Sequence, residues 1–156
     1  MVIETAAPPT VKQVRAALAE VPDPELPVVS VVDLGMVEGV VVDAERIQVE
    51  LLPTFIGCPA LQLIEAAVAE RLATFGVPVQ VEFTRRVPWT SDRISAIGLD
   101  RLRQAGIAPP LDPAATRCPW CDSDRVVMDS AFGPTQCRSL FYCRDCRNPF
   151  EALKPI

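Results

Sequence analysis

The sequence predicts an α+β chain: a small α-β-β-α-β domain followed by a Cys-rich β-hairpin. Three observations carry this. Helical and strand-like apolar periods alternate along roughly the first 107 residues. A Pro- and Ala-rich string, Ala108–Thr116, then interrupts all periodicity. Five of the six cysteines follow that string. The expected organisation is a body over 1–107, a linker over 108–116 and a Cys-rich module over 117–156.

In the body, Thr10–Val21 reads as a helix. Thr10 and Gln13 have capping-box spacing, and Val11, Val14, Leu18 and Val21 share one face. Pro22 stops it, and Asp23-Pro24-Glu25-Leu26-Pro27 is an ordered acidic loop because its prolines remove backbone donors. Gly35–Val42 and Arg46–Leu52 flank Asp43-Ala44-Glu45 as a hairpin. Pro59–Phe75 reads as a second helix, with Leu61, Ile64, Val68 and Leu72 inward and Gly76 as its stop. Val77–Thr84 alternates as a third strand, with Val79, Val81 and Phe83 inward, and Ser95–Ala105 closes the body as a helix ended by Gly106.

Composition excludes several functions. There is no histidine, so His-dependent nucleophilic catalysis and His-ligated metals are ruled out. Net charge is −5, divided as −6 before Thr116 and +1 from there on. Neither part is polybasic, so nucleic acid is not an expected partner. No apolar run is long enough for a membrane span and Met1–Thr10 lacks a signal-peptide pattern, which places the expected compartment in the cytoplasm. In a reducing compartment cysteines point to metal or reactive thiols.

Cys118-Pro-Trp-Cys121 and Cys143-Arg-Asp-Cys146 are two C-x2-C pairs. Four thiolates suit a tetrahedral Zn²⁺, and each two-residue gap lets one tight turn offer both sulfurs to one ion. Arg125–Ser130 and Cys137–Tyr142 read as strands between them, which makes a zinc ribbon with a structural Cys₄ site. Rubredoxin-like iron or a cluster, and two disulfides or four free thiols, are the alternatives. Asp122 and Arg147 stand where such knuckles often carry Gly. Cys137 reads as a small buried strand hydrophobe outside the metal shell.

Cys58 follows Gly57 and precedes Pro59, the residue expected at the first helical position. A thiol at a helix N-terminus has its pKa lowered by free N–H groups, and Thr54 could add a hydroxyl hydrogen bond. The residues leave two readings open, a stabilised thiolate or a small residue filling a turn. Asp23 and Glu25 read either as an acid/base pair or as a solvated or capping loop, and Asp33 as a turn-forming Asx residue.

Together these pieces resemble a known family. Asp23-Pro24-Glu25 with Pro27, Asp33-Leu34-Gly35 and Thr54 through Cys58-Pro59 resemble the SufT-like domain of iron–sulfur assembly factors. The stretches Trp89-Thr90, Gly106 through Pro110, Phe132-Gly133-x-Thr135-x-Cys137 and Cys143 through Phe150 resemble the PaaD (PaaJ) small subunits of phenylacetyl-CoA oxygenase systems. Departures are Phe55-Ile56, Pro134 and Arg138, where Tyr-Ser, Ser and Lys are expected. The resemblance implies a non-enzymatic accessory protein with oxygenase or reductase subunits as partners. It assists assembly of their iron centres, with Cys58 handling transient iron or an Fe–S cluster. A non-catalytic structural adaptor is the alternative.

Overall fold

A computed structural model describes residues 7–156. The body is a three-stranded sheet carrying helices. Helix α1 (Val11–Leu18) starts on the expected capping box: Gln13 N donates to Thr10 Oγ1 at 3.2 Å, and Thr10 N donates to Gln13 Oε1 at 2.8 Å. Val14, Ala17 and Leu18 are buried, but Val11, in the first turn, is exposed.

Strands β1 (Val37–Val42) and β2 (Ile47–Leu51) form the antiparallel hairpin. Asp43 builds its turn, with Oδ1 accepting from the N–H groups of Glu45 and Arg46 at 2.8 and 2.9 Å. The chain then crosses through α2 (Leu61–Ala73) to β3 (Val79–Phe83), which pairs parallel with β2 and gives the order β1-β2-β3. Ile64, Val68 and Leu72 of α2 are buried on this sheet, while Leu61, Val79, Val81 and Phe83 are half-buried. Leu18, Met36, Ile47, Leu51, Leu52 and Leu102 complete a core of large aliphatics.

Between β3 and α3 (Ala96–Gln104) runs a segment whose only regular element is a 3-10 turn at Ser91–Arg93. It is held by side chains reaching backbone: Trp89 Nε1 donates to Leu34 O at 2.7 Å, and Arg93 Nε to Gly35 O at 2.9 Å. Ser95 caps α3 by accepting from Gly98 N at 3.0 Å.

The Cys-rich module is a four-stranded sheet rather than a hairpin, in the order β4-β7-β6-β5. Strands β5 (Val126–Ser130) and β6 (Arg138–Cys143) lie close to the expected pair. Strand β7 (Pro149–Leu153) has no counterpart among the expected elements, since a five-residue segment opening on Pro shows no clear alternation. Strand β4 (Ile107–Ala108) pairs parallel with Glu151 and Ala152 of β7. The segment expected as a linker, 108–116, therefore begins inside the ribbon's own sheet and contains a 3-10 turn at Pro113–Ala115. Ile107 and Leu153 pack into the body's core. Ile156 and Ser91 exchange hydrogen bonds, and Arg138 Nη2 donates to Glu25 O at 3.0 Å, so the module is docked on the body along a seam.

Candidate functional site

Two sites carry chemistry. The first is the four-cysteine end of the ribbon. Cys118 and Cys121 lie on the knuckle before β5, Cys143 is the last residue of β6, and Cys146 lies on the turn between β6 and β7. Their four sulfurs lie within 4.8 Å of one another. Across the knuckles, Cys118 and Cys146 approach at 3.6 Å, as do Cys121 and Cys143. A tetrahedral site with Zn–S bonds of about 2.3 Å has sulfur–sulfur edges of about 3.8 Å, so this donor set fits Zn²⁺.

The residue after each second cysteine, Asp122 and Arg147, has φ of +59° and +60°. These are the left-handed positions at which Gly is usual, so the backbone adopts the knuckle turn without it. Burial pushes the Cys118 thiol up to about 12, while the N–H groups of Cys146 and Asp145 pull Cys143 down to about 7. A bound cation replaces protons at such thiols, so its affinity rises with pH. Cys137 lies outside this group.

The second site is a cleft of about 310 Å³ on the seam. The Asp23–Leu26 loop and the Thr54–Pro59 turn form its body side, and the Phe132–Cys137 loop and Lys154 its ribbon side. The Asp23 loop is folded on its own carboxylate: Oδ1 accepts from Glu25 N and Leu26 N, both at 2.8 Å. Asp23 is buried, and that burial raises its pKa against the opposing pull of the two N–H bonds and Arg138. Asp23 thus shapes the loop, and Glu25 is the carboxylate that meets the thiol, its Oε2 accepting from Cys58 Sγ at 3.8 Å.

Cys58 sits before the helix rather than on it. Helix α2 begins at Leu61, with Ala60 as its N-cap, and Pro59 lies in the preceding turn. The expected lowering of the thiol pKa is corrected by this geometry. Burial pushes it up first; the Ala60 N–H pulls it down; the charges of Glu25, Asp23 and Cys137 push it up further. Cys58 is therefore a thiol that donates to Glu25 at neutral pH. Gly57 has φ of +105°, and nothing lies within 4 Å of where a Cβ would be, so the turn's conformation requires glycine there, not a close approach.

Of the other expected site residues, Thr54 lines the cleft. Asp33 does not. Its Oδ2 accepts from Ser30 N at 3.0 Å and pairs with Arg101 Nη1 at 2.7 Å, closing the turn before Gly35 and fastening α3 to it. Sequence reasoning missed Cys137 as a cleft residue. It is half-buried, stands just ahead of β6, and lines the same cleft as Cys58. Its place in the Phe132-Gly133-x-Thr135-x-Cys137 motif, apart from both C-x2-C pairs, was the available signal.

An assembly-type α/β domain docked to a Cys₄ ribbon defines the class, and comparison with known proteins agrees. Residues 12–83 match the iron–sulfur cluster assembly protein family, and residues 106–154 match the PaaD zinc beta ribbon domain. A protein of Escherichia coli K12, provisionally named as the D component of 1,2-phenylacetyl-CoA epoxidase, is 39% identical over 162 residues, covering 99% of this chain and 98% of its own. The chain belongs to the PaaD family of epoxidase subunits. Among solved structures, a domain of unknown function (DUF59) from Bacillus anthracis is 32% identical at a TM-score of 0.52, over 56% of this chain and 85% of that one. A conserved hypothetical protein from Thermotoga maritima is also 32% identical, at 0.54, over 64% and 96%. Among the described residues no helix is long and apolar enough to cross a membrane.

Proposed function

We propose that this protein is an accessory factor that helps assemble or mature the iron centres of a phenylacetyl-CoA epoxidase, taking iron or an Fe–S cluster in transit on Cys58. One observation carries the reading: Cys58 faces Glu25 inside a cleft whose opposite wall is the ribbon. A soft thiol beside a hard carboxylate suits an Fe²⁺ cargo, which accepts both donor types. Zinc on Cys118, Cys121, Cys143 and Cys146 is structural, because a closed four-thiolate shell leaves no open position for a substrate. The match of residues 12–83 to an assembly family and the name of the Escherichia coli relative support the reading. The partners are the oxygenase or reductase subunits of that system, met in the cytoplasm. Asp23 and Thr54 shape and line the cleft, and Asp33 holds the turn beside it.

The test replaces Cys58 with Ala in cells growing on phenylacetate. The expected result is slow growth and an oxygenase low in iron; normal growth with full iron content sinks the reading. A second reading, a structural adaptor, is favoured by Phe132 and Ile56, which stand 82% and 70% exposed beside the cleft. It predicts a silent Cys58→Ala and loss of co-purification when the ribbon is disrupted.

A further inference from the structure

Arg138 is the first residue of β6, and its side chain is only 12% exposed. A guanidinium so far out of water needs its donors paired, and its planar fork can meet several acceptors at once. Nε donates to Thr135 Oγ1 at 2.9 Å, Nη1 pairs with Glu151 of β7, and Nη2 donates to the Glu25 carbonyl at 3.0 Å. The first two partners belong to the ribbon, but the third is in the body, 113 residues away in sequence. That third bond completes the hold on Glu25. The peptide after Glu25 is fixed at both edges, its carbonyl by Arg138 and its Leu26 N–H by Asp23 Oδ1 at 2.8 Å. The Glu25 N–H also donates to Asp23 Oδ1, at 2.8 Å, and Glu25 Oε2 accepts from Cys58 Sγ at 3.8 Å. Pro24 and Pro27 lack donors of their own, so the loop has few other ways to order itself. The charge of Arg138 also draws the Asp23 carboxyl down against its burial, which favours the charged acceptor on which the loop folds.

We propose that Arg138 is a positioning residue for the assembly domain: from the ribbon, it fixes the Glu25 peptide so that the Glu25 carboxylate meets the Cys58 thiol. It rests on the reading of Cys58 above and adds the ribbon residue that sets the surroundings of that thiol. The ribbon then orders the loop over Cys58 as well as docking beside it. Without the Arg138 bond the Glu25 carbonyl loses its partner, its peptide plane is free to turn, and the carboxylate turns with it.

The test uses the full chain with its ribbon zinc in place, under anaerobic conditions. Zinc-bound cysteines carry no S–H, so infrared absorption in the S–H stretching region reads the remaining thiols, and the band lost in Cys58→Ser is that of Cys58. A thiol that donates a hydrogen bond absorbs at lower wavenumber than a free one. Glu25→Ala should move the Cys58 band up, and Arg138→Met should move it the same way by the larger part of that shift. In the Glu25→Ala background Arg138→Met should move it no further, because changes acting through one contact are not additive. A residue that only packs the seam would leave the band in place. An unmoved band in either single variant, or an equal further shift in the Glu25→Ala background, overturns the inference. Zinc content and melting temperature report folding. If Arg138→Met loses zinc, Arg138→Lys, which keeps the charge beside Glu151 but not the fork, is judged by the same criteria. In cells growing on phenylacetate, Arg138→Met should lower the iron content of the oxygenase, though less than Cys58→Ala does. If Cys58→Ala depletes that iron and Arg138→Met leaves it full, this inference fails and the reading of Cys58 survives. If Cys58→Ala is silent, that reading fails, and the infrared cycle still decides whether Arg138 sets the loop.

Discussion

The body and the ribbon are held together by different means. The body buries a continuous set of large side chains, among them Leu18, Met36, Ile47, Leu51, Ile64, Leu72 and Leu102, none of them more than 1% exposed. The ribbon's own core is Ala108, Cys118, Phe141, Cys143, Phe150 and Ala152, with Phe141 and Phe150 stacked at 5.6 Å. Two of those six residues belong to the four-cysteine group, so that group is part of the core itself. A module this small buries too little apolar surface to fold on packing alone, and on the reading proposed above metal binding supplies the remainder. One chain thus contains a domain whose stability is spread over many contacts and another whose stability is concentrated in four sulfurs.

The comparison breaks most sharply at one ligand. Cys143→Ser should abolish tight zinc binding and unfold the ribbon, removing most of a contribution on the order of 10 kcal/mol. The body should remain folded but lose Leu153 and the seam hydrogen bonds, so its melting temperature should drop modestly. Elemental analysis with calorimetry checks this, and a variant that keeps one zinc with an unchanged melt contradicts it. Acid should act in the same direction, because protons compete with the metal for the four thiolates.

The reverse experiment damages the body. Ile64 is 1% exposed on the face of α2 that meets the sheet. Ile64→Ala should lower body stability by about 2–5 kcal/mol and leave the zinc content at one per chain. Loss of zinc at temperatures where the body is still folded would show that the ribbon's hold depends on the body's core.

The two regions also differ in how much their sequence discloses. The body's elements are readable because apolar periods run through α1, β1, β2, α2 and β3, and because local devices such as the Thr10–Gln13 box and the Asp43 turn are short-range. The metal site is readable because C-x2-C spacing is itself a statement of geometry. What stays hidden is long-range. Strand β4 is two residues long and acquires its identity from β7, more than 40 residues later. Cys137 looks like strand filler until the seam brings it to the cleft, and Asp23 and Glu25 look alike until one turns into its own loop and the other toward Cys58. The Cys58 pKa departs from expectation for the same reason. A helix N-terminus is visible in sequence; burial and the approach of two carboxylates are not.

The seam is sharpened by Gly106, which follows α3 with φ of +77°, and where an added Cβ would stand 2.1 Å from Cζ2 of Trp120 on the first knuckle. Gly106→Ala combines a left-handed backbone penalty of about 1–2 kcal/mol with displacement of the Trp120 ring. Because Trp120 is about half exposed, its ring can swing away, so the total should be about 2–3 kcal/mol. A double-mutant cycle with Trp120→Ala separates the parts. In that background Gly106→Ala should cost only the backbone share. Equal losses in both backgrounds would mean that the ring does not press on this glycine.

The smallest effect concerns the ribbon's turns and has the opposite sign. Arg147 holds φ of +60° directly after Cys146, and its side chain makes no ion pair among the described residues. A non-glycine residue there forgoes about 1–2 kcal/mol relative to its preferred backbone. Glycine removes that strain but loses about 0.4–1 kcal/mol through its freer unfolded chain. Arg147→Gly should therefore stabilise the ribbon by about 0.5–1 kcal/mol, raising the ribbon's transition alone and slowing zinc transfer to a competing chelator. Asp122, at φ of +59°, is the internal control. Its carbonyl accepts from Arg117 Nη1 at 2.9 Å, and aspartate tolerates the left-handed region better than arginine. Asp122→Gly should accordingly gain less than Arg147→Gly. If Arg147→Ala stabilises as much as Arg147→Gly, the gain comes from removing the arginine side chain and not from the backbone, and the strain account of the second knuckle is wrong.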